Sequence, residues 1–189
     1  MNAVRRKYKR LRSSIESGDI ILVRGRSLLT RIIEWADGSY YSHALVVFKV
    51  GGRLFAIQSM ADGVVPFFLS TEIFANIDFC ILKPVCDSTY RIEALNAAFK
   101  KAERGIPYDY LELPKILLTK KLGIKFKNIQ GNKHENICSV FAGHTYAGKI
   151  CPSYEHAYKA IGYLTPQDLV RFAQPSEIQI IGNNPHFIN

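Results

Sequence analysis

Residues 42–59 read SHALVVFKVGGRLFAIQS. Two apolar runs flank Gly51-Gly52, and a glycine pair in that setting predicts a two-residue hairpin turn, whose central residues take positive φ. Such a turn sets the pairing: Val50 faces Arg53, Leu45 faces Gln58 and His43 faces Met60. His43 and Gln58 then become diagonal neighbours on one face, with Cβ atoms roughly 7 Å apart, close enough for a long amide to reach a ring nitrogen. A three-residue loop would shift the register and break this geometry.

Other elements can be read outward from the hairpin. Gly18-Asp19 precede Ile20 to Val23, a short β-branched run bounded by turn residues, which predicts the first strand. Ser27 opens a segment with Leu28, Leu29, Ile32, Ile33 and Ala36 at helical spacing. Val64 to Phe68 and Ile77 to Leu82 are two more strands, separated by a helical turn near Ser70, and the expectation is an antiparallel meander. Ser88 is expected as the N-cap of a helix carrying Ala94, Leu95, Ala98 and Ala102, stopped by Gly105 with Pro107 beyond. Asn136 is expected to cap a helix from Ile137 to about Tyr146, and Gly148 to end it. Thr165-Pro166-Gln167-Asp168 has a cap residue, a proline at the first helical position and an acid at the third. The weak alternation of Glu177 to Ile181 fits a return to the sheet edge. The fold class expected is α+β, an antiparallel sheet packed against helices.

With 189 residues, 48% of them hydrophobic and 22% charged, the chain has the composition of one globular domain rather than of a disordered segment. No apolar stretch approaches the eighteen or so residues that a membrane-spanning helix needs. The net charge is +9 and unevenly spread. Residues 1–31 hold nine basic and two acidic residues, and 113–133 hold six basic and no acidic ones. The expected organisation is a basic arm at 1–17 and a single domain at 18–189, with a lysine-rich amphipathic segment at 113–133. Leu113, Ile116, Leu117, Leu118, Leu122, Ile124 and Phe126 alternate there with Lys115, Lys120, Lys121, Lys125 and Lys127. Segment 113–127 and the arm are candidates for lying on an anionic membrane surface. Nucleic acid is the less favoured partner, because no recognised nucleic-acid module accompanies the charge. Polar residues from Ser13 to Asp19 stand where a signal peptide needs an apolar core, so a cytoplasmic protein, or one delivered without a Sec signal, is expected.

Cys80, Cys86, Cys138 and Cys151 show no Cys-x-x-Cys or metal-type spacing and are expected as reduced thiols; no metal and no cofactor is expected. The cap at Asn136 puts Cys138 in the first turn of a helix, where free amides and the macrodipole favour thiolate. Cys80, inside an apolar run, reads as a small buried hydrophobe. A thiolate nucleophile needs a histidine to take and return a proton, and a polar group to orient the ring. The hairpin offers His43 and Gln58 for these two tasks. A zinc site from His134, Cys138 and His144 matches no common ligand spacing, and His156 and His186 have no partners in view.

Four short motifs occur in a telling order: Gly18-Asp19-Ile20-Ile21-Leu22, then Tyr41-Ser42-His43-Ala44-Leu45-Val46, then Pro107-Tyr108-Asp109-Tyr110, and finally Cys138-Ser139. Over about residues 18–172 the chain resembles the circularly permuted NlpC-type papain-like enzymes, a group that includes lecithin:retinol acyltransferase-like proteins. In that group the histidine strand precedes the cysteine helix. The resemblance implies a permuted papain-like fold with Cys138 as nucleophile, His43 as general base and Gln58 as the polar third member. It also implies an oxyanion held partly by the Cys138 backbone amide. Many relatives carry an aromatic residue just before the cysteine; Asn136 and Ile137 stand there here. The activity implied is that of a thiol hydrolase passing through an acyl-enzyme, an amidase or peptidase first. A lipid acyltransferase or lipid amidase is the alternative on the same site. A non-enzymatic basic protein binding nucleic acid or a membrane surface is the reading in which the charge alone matters.

Overall fold

The computed structural model describes residues 2–27, 30–31, 34–35, 38–60, 63–103, 138–146, 151–161 and 164–182. Segment 113–133, the Pro107–Tyr110 motif, the Asn136 cap, His134 and His186 lie outside them, as do the stops expected at Gly105 and Gly148. Six strands form one sheet in the order β4-β3-β2-β1-β5-β6. They are β1 (Ile20–Arg24), β2 (His43–Val50), β3 (Arg53–Met60), β4 (Gly63–Phe68), β5 (Asp78–Pro84) and β6 (Ile178–Ile181). Every pairing is antiparallel. The described helices are α1 (Ala3–Leu11), α2 (Leu69–Ala75), α3 (Ser88–Glu103), α4 (Cys138–Tyr146), α5 (Pro152–Ile161) and α6 (Pro166–Arg171). Between β1 and β2, Thr30, Arg31, Glu34 and Trp35 are also helical. The mixed α+β class is as expected.

The apolar run Ile20 to Val23 is buried on both sides, which explains why it does not alternate with polar residues. Ile20 and Leu22 pack with Ala44, Val46, Ile57 and Leu82 under the layer formed by α3 to α6. Ile21 and Val23 pack on the opposite face with Leu45, Val47 and Ala56. That second face is covered by Val4 and Tyr8 of α1 and by Leu69 and Ile73 of α2. The 1–17 stretch, expected as a basic arm, is therefore in large part a helix seated on the sheet. Its i, i+4 pair Val4 and Tyr8 supplies the inward stripe, while Arg5, Arg6, Lys9 and Arg10 stay exposed.

Two expectations about strand pairing need correction. Strands β1 to β4 do run as a meander, but β5 does not extend it; β5 pairs with β1 on the far side of the sheet. The cause is α2, which buries Leu69 and Ile73 against the second face and so carries the chain back across the sheet. The second correction concerns the hairpin. Gly51 and Gly52 take φ of 55° and 75°, the turn that was expected, and the register runs as predicted from Val50↔Arg53 to Val46↔Ile57. The ladder stops there. Leu45–Gln58 and His43–Met60 are not paired; His43 and Leu45 pair only with β1, and Gln58 and Met60 only with β4.

The helix expected to be capped by Ser88 begins one residue earlier in effect: Ser88 is already helical, and Asp87 accepts the first amide, from Arg91. The Thr165 capping box is present with Pro166 behind the cap and Asp168 returning the bond, and β6 closes the sheet edge against β5. No described helix is long and apolar enough to cross a membrane.

Asp19 ties these parts together. Its carboxyl is wholly buried, accepting from Arg91 Nη1 at 3.0 Å and from the Glu16 amide at 2.8 Å, with Lys83 Nζ at 3.7 Å. Burial nonetheless holds its pKa above the ordinary aspartate value, against the pull of both cations. Arg91→Ala strips the closest cation from a buried carboxylate and is expected to cost about 3 kcal/mol in urea unfolding. Adding Asp19→Asn should recover part of that loss; an Arg91→Ala protein as stable as wild type would show that the pair contributes nothing.

Candidate active site

Where β2 and β3 part, His43 and Gln58 turn toward each other. His43 Nε2 and Gln58 Oε1 are 2.8 Å apart. Gln58 is wholly buried and His43 half-buried. The diagonal contact expected from the hairpin is thus made, although the direct pairs beside it are not.

The third side chain arrives from the other face. Helix α4 packs on β2 and β3 and contributes Ala142 and Tyr146 to the core beneath α3 to α6. Cys138 is its first residue. Because His43 sits at the very start of β2, beyond the last β2–β3 rung, its ring reaches the thiol at the helix end. The Cys138 thiol and the His43 side chain are close enough for each to shift the other's titration. With Nε2 taken by Gln58, Nδ1 is the nitrogen left for the sulfur.

The local fold holds α4 at this angle. Ser139 Oγ donates to the Leu164 carbonyl at 2.5 Å, and Tyr146 Oη at the other end donates to the Gly18 carbonyl. Between them Gly143 lies so close to Leu164 that a Cβ there would come within 2.6 Å of its Cδ1. Any larger residue at that crossing would force the Leu164 side chain to shift.

Electrostatics follow from this geometry. Burial by itself would keep the Cys138 thiol protonated, but the His43 imidazolium outweighs it, helped by the Ala44 and Ser139 amides, and the thiol pKa falls below its ordinary value. The Ala44 amide is available to the sulfur because β2 has no β3 partner at that level. Burial likewise disfavours the charged form of His43, yet the thiolate beside it, then Gln58 and Glu72, push its pKa up to about 9. The two shifts are linked: each group favours the charged form of the other. The other thiols are opposite in character: burial pushes Cys80 up to about 12 and raises Cys86 and Cys151 as well. All four cysteines are free, and Cys80 is the packed hydrophobe expected.

One contact was absent from the sequence reading. Gln58 Nε2 donates to Glu72 Oε2 at 3.3 Å, and Asn76 Nδ2 donates to Glu72 Oε1 at 3.1 Å and to the Glu72 carbonyl at 2.7 Å. Glu72 lies 29 positions from His43 and looks, in sequence, like an ordinary first-turn acid of α2. His156 is exposed on α5.

No family model and no curated protein matches the sequence. Among solved structures, the crystal structure of the metalloprotein YiiX from Escherichia coli O157:H7 has a similar fold, with a TM-score of 0.55 over 92% of this chain and 91% of that one at 14% identity. The likeness extends over nearly the whole of both chains and concerns the fold. Among the described residues here, no group of three or more His, Cys, Asp or Glu side chains is placed to hold a metal ion, and Gln58 already occupies His43 Nε2.

Iodoacetamide labelling, read at each cysteine by peptide mass spectrometry, checks the pair directly. Cys138 is expected to react fastest of the four thiols below neutral pH and to slow by about tenfold or more in His43→Ala. Equal rates at Cys138 and Cys86 would argue against an ion pair.

Proposed function

We propose that this chain is a cysteine hydrolase of the circularly permuted papain-like kind, an amidase or peptidase that passes through an acyl-enzyme on Cys138. The observation that carries the reading is the juxtaposition of a helix-terminal thiol of lowered pKa with an imidazole that is hydrogen-bonded, on its other nitrogen, to a buried amide. Also in its favour are the antiparallel sheet, the cysteine helix packed on it, and a histidine strand that precedes the cysteine in the chain.

The chemistry follows from the positions. The Cys138 thiolate attacks an amide or ester carbonyl carbon, forming the S–C bond and placing negative charge on the carbonyl oxygen. The backbone amide of Cys138 at the helix start is the expected donor to that oxygen. Collapse breaks the C–N or C–O bond, and His43 gives its proton to the departing nitrogen or oxygen. Water then attacks the thioester carbon, passes a proton to His43 and releases the acid, and the Cys138 thiolate is restored. Gln58 holds the ring throughout.

The test uses a panel of peptide amides and acyl esters, with intact-mass detection of the acylated protein. Cys138→Ala and His43→Ala are each expected to lower turnover by at least about a hundredfold while leaving the circular dichroism spectrum intact, and Gln58→Ala to leave measurable activity. The pH profile should rise through the lowered Cys138 pKa as the thiolate forms. It should fall as His43 loses, near pH of about 9, the proton that the leaving group needs. Full activity in Cys138→Ala would refute the mechanism.

A further inference from the structure

An amide side chain has two ends of nearly equal size, so something must decide which end Gln58 turns toward His43. We infer that Glu72 is a positioning residue that makes this choice, and thereby selects the His43 tautomer that leaves Nδ1 free to take the Cys138 proton. The inference rests on the thiol chemistry proposed above and adds to it the group that orients the third member.

The argument is one of donors and acceptors. An ionised carboxylate only accepts hydrogen bonds, so the Gln58 end facing Glu72 Oε2 at 3.3 Å must be the amino group. The oxygen end is then left for His43 Nε2, at 2.8 Å. Facing an oxygen, Nε2 must carry a hydrogen, and in the neutral ring the lone pair is therefore on Nδ1, toward Cys138. With the amide reversed, its amino group would face Nε2, the hydrogen would move to Nδ1, and the ring would present a donor to a thiol it has to deprotonate. A base in the wrong tautomer is a severe defect in a catalytic triad.

Glu72 is itself held in place. Asn76, buried at the end of α2, bonds both its side chain and its carbonyl, and Arg26 Nη2 donates to the Asn76 carbonyl at 3.2 Å. The chain of contacts runs from Arg26 through Asn76, Glu72 and Gln58 to His43. Among the described residues, the charged groups acting on His43 are Cys138 from α4 and Glu72 from α2, with Arg26 further out. Glu72 also supplies something that Gln58 lacks. A neutral amide can orient an imidazolium but carries no charge to stabilise it, whereas a carboxylate one side chain away does.

A merely structural Glu72, favouring the first turn of α2, would affect melting and nothing else. The deciding experiment measures the pH profile of Cys138 alkylation and the nitrogen-15 spectrum of the histidine ring in wild type, Glu72→Gln, and Glu72→Gln combined with Gln58→Glu. In wild type above the His43 pKa of about 9, the neutral ring is expected to show a protonated Nε2 and a bare Nδ1. Glu72→Gln should mix the tautomers and lower the His43 titration, read from the nitrogen-15 shifts and from the alkaline step of the alkylation profile, by about one pH unit. The double variant, which presents a carboxylate directly to Nε2, should bring both back. A wild-type ring protonated on Nδ1 overturns the inference even if no variant folds. So does a Glu72→Gln protein with an unchanged profile and only a lowered melting temperature. Absence of any low-pH alkylation of wild-type Cys138 would instead bring down the hydrolase reading itself.

Discussion

Strands β2 and β3 share a ladder from the glycine turn to Val46↔Ile57 and then take different partners, β2 following β1 and β3 following β4. Everything at the candidate site depends on that divergence. In an unbroken antiparallel pair, side chains of successive residues stand on opposite faces, and a residue on the α1–α2 side cannot meet a helix on the α3–α6 side. His43 belongs by parity with Leu45 and Val47, on the α1–α2 side, while Cys138 comes from α4 on the other. The opening lets the two meet at the end of the strand. It also leaves the Ala44 amide without a β3 partner, so that a backbone donor is turned over to the sulfur.

An opening in a sheet leaves side chains free to move unless neighbouring layers fix them. On one side α4 is held at both ends, through Ser139 to the Leu164 carbonyl and through Tyr146 to the Gly18 carbonyl. The second of these joins it to the Gly18-Asp19 corner, where a buried carboxylate, Arg91 of α3 and Lys83 of β5 meet. The Gly18-Asp19 pair therefore serves the site indirectly: it anchors the far end of the cysteine helix to the start of β1. On the other side α2 performs two tasks with one set of residues. Leu69 and Ile73 bury it against the sheet and send the chain on to β5, and Glu72 between them faces Gln58.

What could be read from the sequence was what local chemistry decides. The Gly51-Gly52 turn, the register next to it and the Thr165 capping box each depend on residues a few positions apart, and each is present. The α1 stripe is present in the spacing of Val4 and Tyr8, but the six basic residues around it make the stretch resemble a charged arm more than an amphipathic helix. The place of β5 beside β1 had no local signal, since it follows from which face α2 buries. The stopping point of the β2–β3 ladder had none either: Leu45 and Gln58 are as able to pair as Val46 and Ile57, and only the competing attachment of each strand to its outer neighbour separates them. Glu72 was hidden for the same reason. Its role comes from a partner 14 positions away, while its position in the first turn of a helix already offers a sufficient local explanation.

A glutamine as third member looks, from sequence, like a weaker substitute for a carboxylate, because it orients a ring without neutralising it. The structure changes how that substitution should be judged. A carboxylate hydrogen-bonded directly to His43 would have to be buried where Gln58 is, at wholly inaccessible depth, and would carry the desolvation cost of a buried charge. Placing the neutral amide in the buried position and the carboxylate one side chain outward, between Asn76 and the amide, keeps the charge where polar groups can surround it. The imidazolium still has a negative group behind it, and the amide transmits orientation as well as polarity. Under the proposed thiol chemistry, division of the task between Gln58 and Glu72 separates the geometric requirement of the base from its electrostatic one. It shows why a residue type judged alone, without the neighbour that completes it, understates what the position can do.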